Sequence, residues 1–252
     1  MSELLRQEHT EPGDEMSGRL ARRLDGLIGM LSHDLRTPLS AISGWLFLLE
    51  SGRLDADAQK RALGKIKSSV DEQVQLIDDT LLISRGQIGR LEIELTPTPI
   101  LVPLDAAIES LRTQASTKSI SIEIDRSDGV VTIDADSERL QRALELLLAH
   151  ALKVTQPGGS ISIAVSLSPK SVEIRIRDTG SGFSEIELPR VLDPFGHSSH
   201  GDARTRGAER GLLLAQALIA GHRGALRLSS PGQNLGETFT IELPRAALDN
   251  RL

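Results

Sequence analysis

The sequence predicts two units in succession, an α-helical hairpin that pairs with a second copy into a four-helix bundle, and an α/β sandwich. Three observations carry this prediction. Apolar residues recur every three or four positions over the first part of the chain, and short alternating β-rich runs replace them later. Aromatics are scarce, with one Trp, four Phe and no Tyr, so the cores must be aliphatic.

Residues 1–17 are polar and carry Pro12 and Gly13, and read as an N-terminal arm. From Leu20 the apolar positions run Leu24, Leu27, Leu31, Leu35, Leu39, Ile42, Trp45 or Leu46, and Leu49, the seam of one long helix. Ser51-Gly52-Arg53 breaks it. A second seam follows at Leu63, Ile66, Val70, Val74, Ile77, Leu81 and Ile88. One hairpin can hardly bury both seams, so residues 18–90 are expected to form a homodimeric bundle. A hairpin docked on its own second domain is the other solution.

Residues 91–101, including Thr96-Pro97-Thr98-Pro99, read as a linker into a mixed α/β domain spanning 102–246, followed by a tail at 247–252. Within that domain Ala106–Ala115 reads as a helix, and Ser119–Ile124 and Val130–Ile133 as short strands. Asp136 or Ser137 caps a strong helix that ends before Pro157-Gly158-Gly159. Ile161–Leu167 and Val172–Ile176 alternate as paired strands. A Gly/His/Arg-rich loop is expected from about Gly180 to Gly207, then a helix from Gly211 to Ala220 and strands at Ala225–Leu228 and Thr238–Leu243.

The formal charge of −6 argues against nucleic acid as a partner, because no net positive field exists to release counterions. The absence of Cys excludes disulfides and thiolate metal sites and fits a cytoplasmic location. No apolar run is long enough to span a membrane, since Glu145, His150 and Lys153 interrupt the longest, Leu144–Val154.

Chemistry concentrates first at Leu31-Ser32-His33-Asp34-Leu35-Arg36-Thr37-Pro38-Leu39. His33 lies between two seam positions, which turns its ring outward, and a neutral imidazole nitrogen is a competent nucleophile near neutral pH. Asp34 can orient that ring, and Thr37 lies one turn along the same face. Pro38 removes a backbone bond just beyond. This string resembles the H-box of two-component sensor histidine kinases, and Ala41-Ile42-Ser43-Gly44-Trp45 also matches their dimerisation and phosphotransfer helix.

The resemblance implies a histidine-kinase-type ATPase fold for the second domain. It also implies ATP and Mg²⁺ as cofactors, a histidine that receives the γ-phosphoryl group, and a response regulator receiver domain that takes it. Asp178-Thr179-Gly180-Ser181-Gly182-Phe183 matches the first glycine box: a carboxylate at a strand end can accept the adenine amino group, and the glycines let the backbone approach the base. Thr238, in the closing strand, is expected to support that pocket, and Pro194-Phe195 resembles the lid motif.

Two motifs depart from the family. The N-box helix carries Leu146 and His150 where asparagines are usual, and keeps Lys153 for a phosphate. His150 becomes the candidate metal ligand, offering nitrogen to a metal that prefers oxygen. The second glycine box, Gly207-Ala208-Glu209-Arg210-Gly211, carries Glu209 in place of a glycine, a negative charge where phosphates would be cradled. Two readings result. One is a kinase that autophosphorylates on His33 and passes the phosphoryl group to an aspartate. The other is an ATP-independent phosphotransfer or regulatory protein with a degenerate ATPase-like domain.

Overall fold

A computed structural model describes residues 34–126, 131–186, 188–192 and 203–245. The chain divides into two compact units, Met1–Asp78 and Asp79–Leu252.

In the first unit, residues 34–50 form helix α1, and a turn at Ser51-Gly52 reverses the chain. The Leu49 carbonyl accepts the Gly52 N–H, and Gly52 takes φ +67°, a conformation that glycine adopts without strain. Asp55 then accepts the Ala58 N–H and caps helix α2, Ala56–Gln87. The Gln73 side-chain amide donates to the Leu35 carbonyl and ties the two arms together. The seams are not buried by this pairing. Leu63 is 59% exposed and Val74 54%, and Leu39, Leu46, Val70 and Ile77 are also exposed.

The second unit is a two-layer α/β sandwich. A small sheet pairs β1 (Thr96–Pro99) with β3 (Thr132–Ala135) in antiparallel fashion. The main sheet has the order β2-β4-β5-β7-β6, from β2 (Ser121–Arg126), β4 (Ser160–Leu167), β5 (Ser171–Asp178), β6 (Ala225–Ser229) and β7 (Thr238–Pro244). Only β2 and β4 are parallel, and helix α4, Ser137–Val154, lies between them in sequence. Strict alternation turns Ile161, Ile163, Val172, Ile174, Ile176, Phe239, Ile241 and Leu243 toward one face, all fully buried. Leu140, Leu144, Leu147, Leu148 and Ala151 of α4 are equally buried. Helices α3 (Leu101–Thr117) and α6 (Ala203–Gly221) both contact α4, and a single turn, α5 (Leu188–Val191), precedes α6.

Caps hold α4 at both ends. Asp136 accepts the Arg139 N–H, and Lys118 Nζ donates at 2.6 Å to the Leu152 carbonyl in the last turn. Buried His222 adds a tie across the layer: its Nε2 lies 3.1 Å from the Asp136 backbone N–H and its Nδ1 2.7 Å from the Leu218 carbonyl.

Three boundaries differ from the sequence expectation. The expected linker 91–101 contains β1, because Thr98 is buried and donates its hydroxyl to Ala135. The division between units falls inside α2 rather than after Arg90, since Ile83 is fully buried and Gly86 closes against Ala217. Helix α6 begins at Ala203, eight residues before Gly211, and runs through both glycines of the second box.

Candidate functional site

The end of β5 and the start of β7 bring the chemistry together. The strands are in register from Ser171↔Pro244 to Arg177↔Thr238, and the Asp178 N–H continues the ladder to the Glu237 carbonyl. Asp178 and Glu237 therefore share the inner face of the sheet with Ile176 and Phe239. Both are only 1% exposed. Opposite them His150 projects from α4, with Nε2 3.0 Å from Glu237 Oε2. The carboxylate oxygen takes the acceptor role in this contact, which assigns the donor N–H to Nε2. The edge of Phe239 meets the imidazole at 5.5 Å between centroids, and Phe183 lies nearly parallel at 6.2 Å.

Among the described residues, three polar atoms in this cluster are buried without a hydrogen-bond partner: Asp178 Oδ2, Glu237 Oε1 and His150 Nδ1. The other oxygen of Asp178, Oδ1, accepts the Gly180 N–H at 2.7 Å. Burial pushes the Asp178 carboxyl up from 3.8 to about 6, and the Glu237 charge adds to the rise, while the Gly180 N–H and His150 oppose it. Buried groups left unpaired in this way are costly, and such groups gather where a ligand is bound.

Two glycines beside the cluster, one in the first box and one just before β7, are needed by the protein's own backbone. Gly182 has φ +61°, and a Cβ there would strike the Gly232 carbonyl. Gly236 has φ +77°, and a Cβ there would strike the Asp178 carbonyl. Around them the 180–183 and 230–236 loops fasten together, with Phe183 N–H donating to Ser230 Oγ at 3.0 Å and Gly236 N–H to the Gly180 carbonyl at 3.2 Å. That clasp holds Asp178 and Glu237 side by side.

The remaining expected site residues are placed as follows. Thr238 lies on the opposite face of β7 from Phe239, with its carbonyl toward Ser229 Oγ, so the side chain that joins Asp178 is Glu237. Glu237 was not among the expected site residues, although alternation with Phe239, Ile241 and Leu243 carried the signal for it. His150 was expected as a metal ligand, but its Nε2 is committed to Glu237 and its Nδ1 is buried. No group of three His, Asp or Glu side chains able to hold a metal occurs among the described residues. The N-box position thus does not fit a hard divalent cation. Lys153 is exposed in the last turn of α4. Leu146 packs on α6, 3.5 Å from where a Gly211 Cβ would stand, which accounts for an apolar residue there. Gly207 and Gly211 are both helical, and the Gly211 N–H lies too deep in α6 to be one of its free first-turn donors, so the phosphate cradle expected of a loop there is not formed. Thr37 is exposed and Asp34 half-buried, both on α1. His33, Pro194 and Phe195 lie outside the described residues, as does the side chain of Glu209.

The family described as "His Kinase A (phospho-acceptor) domain" matches residues 23–89, and "Histidine kinase-, DNA gyrase B-, and HSP90-like ATPase" matches residues 135–247. Taken together these matches cover most of both units, and the chain belongs to the two-component sensor histidine kinase family. It is 28% identical over 240 residues to the cell-division control histidine kinase PdhS of Brucella suis, covering 90% of this chain and 23% of that protein. It is 28% identical over 250 residues to the non-motile and phage-resistance protein of Caulobacter vibrioides, covering 96% of this chain and 29% of that protein. The chain therefore spans about a quarter of the length of these curated relatives. Among solved structures, full-length ShkA in complex with AMPPNP superposes with a TM-score of 0.65 at 28% identity, covering 87% of this chain and 46% of that one. The Acinetobacter baumannii histidine kinase AdeS shares the fold, with a TM-score of 0.65 at 19% identity over 85% of this chain and 98% of that one. No helix among the described residues is long and apolar enough to cross a membrane.

Proposed function

We propose that this chain is a histidine protein kinase that binds ATP at the Asp178 cluster, phosphorylates His33 and passes the phosphoryl group to a receiver aspartate. One observation carries the nucleotide half. Asp178 presents a buried, unpartnered carboxylate oxygen at a strand end, held by the glycine-box clasp, where an exocyclic amino group can satisfy it. The H-box string around His33 carries the other half. In the transfer a His33 ring nitrogen attacks the γ-phosphorus, the N–P bond forms as the bond to the β–γ bridging oxygen breaks, and ADP leaves with that electron pair. Asp34 accepts the other ring N–H and supports the imidazolium. A receiver carboxylate then attacks that phosphorus, and the O–P bond forms as the N–P bond breaks and the imidazole leaves with the electron pair. Kinase family membership and the relative captured with AMPPNP favour this reading over ATP-independent transfer.

Replacement of His33 by Gln is expected to abolish acid-labile, base-stable phosphate on the protein after incubation with ATP. Label that persists in that variant would defeat the assignment. A homodimer is proposed from the exposed seams of the first unit. Light scattering should give twice the chain mass, and Leu63→Glu with Val74→Glu should return it to one, because both side chains are more than half exposed in the single chain. A natural chain that stays monomeric at micromolar concentration would count against the bundle.

A further inference from the structure

We propose that Glu237 is a second base-reading residue of the nucleotide pocket, so that one exocyclic amino group bridges Asp178 and Glu237, donating one hydrogen to each. This rests on the ATP reading above and deepens it. Asp178 Oδ2 and Glu237 Oε1 are both buried acceptors without a donor, on side chains that neighbour each other across the β5–β7 ladder. Nothing in the described protein supplies the missing hydrogens: the Gly180 N–H is spent on Asp178 Oδ1, and the His150 Nε2–H on Glu237 Oε2. A ligand with a primary amino group on a planar ring brings two N–H donors on one nitrogen, the number these two oxygens require. Each carboxylate also raises the cost of the other until a donor stands between them.

His150 acts here as a positioning residue. Its contact holds Glu237 Oε2, leaving Oε1 as the free oxygen, and the imidazole is itself steadied by Phe239 and Phe183. An imidazole committed in this way is unavailable as a cation ligand. The pocket thus reads the base with two carboxylates and contributes no N-box ligand at the phosphate end.

The test is direct binding of ATP, N6-methyl-ATP and inosine triphosphate to the full chain, by calorimetry. With Asp178 as sole acceptor, N6-methyl-ATP keeps the one hydrogen it needs and binds as ATP does. With both carboxylates reading the amine, the methyl group removes a hydrogen bond to a charged acceptor, so binding should weaken roughly 10- to 100-fold, and inosine triphosphate should bind more weakly still. In Glu237→Thr the preference for ATP over N6-methyl-ATP should shrink to within about threefold, and Glu237→Gln should show the same trend without a change of size. Equal binding of ATP and N6-methyl-ATP by the natural chain would overturn the proposal and leave the ATP site intact. A preference that survives in Glu237→Thr would overturn it too, assigning the selection to the pocket wall. If the natural chain binds no nucleotide but Glu237→Thr does, Glu237 closes the site, and both this proposal and the ATP reading fall. If neither binds any nucleotide, both fall as well.

Discussion

Replacing His150 with leucine is expected to destabilise the α/β unit by about 3–5 kcal/mol, whereas replacing Glu237 with methionine should cost far less. The asymmetry follows from what each variant leaves behind. His150→Leu strands a carboxylate with no exposed surface among Ile176, Phe239 and the α4 side chains. Glu237→Met removes the buried carboxylate altogether and leaves the imidazole packed against two phenyl rings. The double variant His150→Leu with Glu237→Met should recover most of the loss, because two packed apolar side chains replace a pair that gained little over its desolvation. Urea unfolding of the four proteins at pH 7 measures the cycle. Equal losses in the two single variants, or additive losses in the double, would show that the 3.0 Å contact is not what holds Glu237 in place.

The second large effect has the opposite sign. Asp178→Asn should stabilise the nucleotide-free protein by about 3 kcal/mol at pH 7 to 8. The carboxyl is raised by burial from 3.8 to about 6. A group raised in the folded state contributes its full stability below its unfolded value, and that contribution is lost as the pH climbs through the folded one. The folded protein is therefore penalised above pH 6, and the penalty shrinks to about 1 kcal/mol at pH 4.5. Asparagine keeps an oxygen for the Gly180 N–H and removes the charge. Unfolding midpoints at pH 7.5 and pH 4.5 decide the matter: a gain about three times larger at the higher pH is expected, and an equal gain at both would place its origin outside ionisation. The same substitution should weaken nucleotide binding, since it removes a charged acceptor. A residue that costs stability in the resting protein and serves a ligand is what a binding site leads one to expect.

Much of the architecture was legible because it rests on periodicity. The three-and-four spacing marked both arms of the hairpin, and β4 and β5 were visible in strict alternation ending at Asp178. Helix α4 announced itself through Asp136 at one end and Pro157-Gly158-Gly159 at the other. Three features were obscured for physical reasons. The glycines at 207 and 211 read as loop punctuation, yet a glycine costs a helix only about 1 kcal/mol, and α6 buries Leu212, Leu213, Leu214 and Leu218 in return. Thr238 drew attention as a hydroxyl, while the inner-face position belongs to Glu237, a residue type seldom buried unless paired. The partner that makes its burial tolerable is 87 positions away, and only the folded chain brings it near.

The strand that hid in the expected linker carries one more consequence. In β1 the antiparallel pairing with β3 leaves Thr96 and Thr98 as the only residues with a backbone N–H to give, since Pro97 and Pro99 have none. The flank of β1 turned away from β3 therefore offers carbonyls without donors. An extended peptide approaching that flank finds no ladder to join. The β1 edge of the small sheet is thus closed to growth by composition alone, a guard against edge-to-edge aggregation written into a four-residue segment.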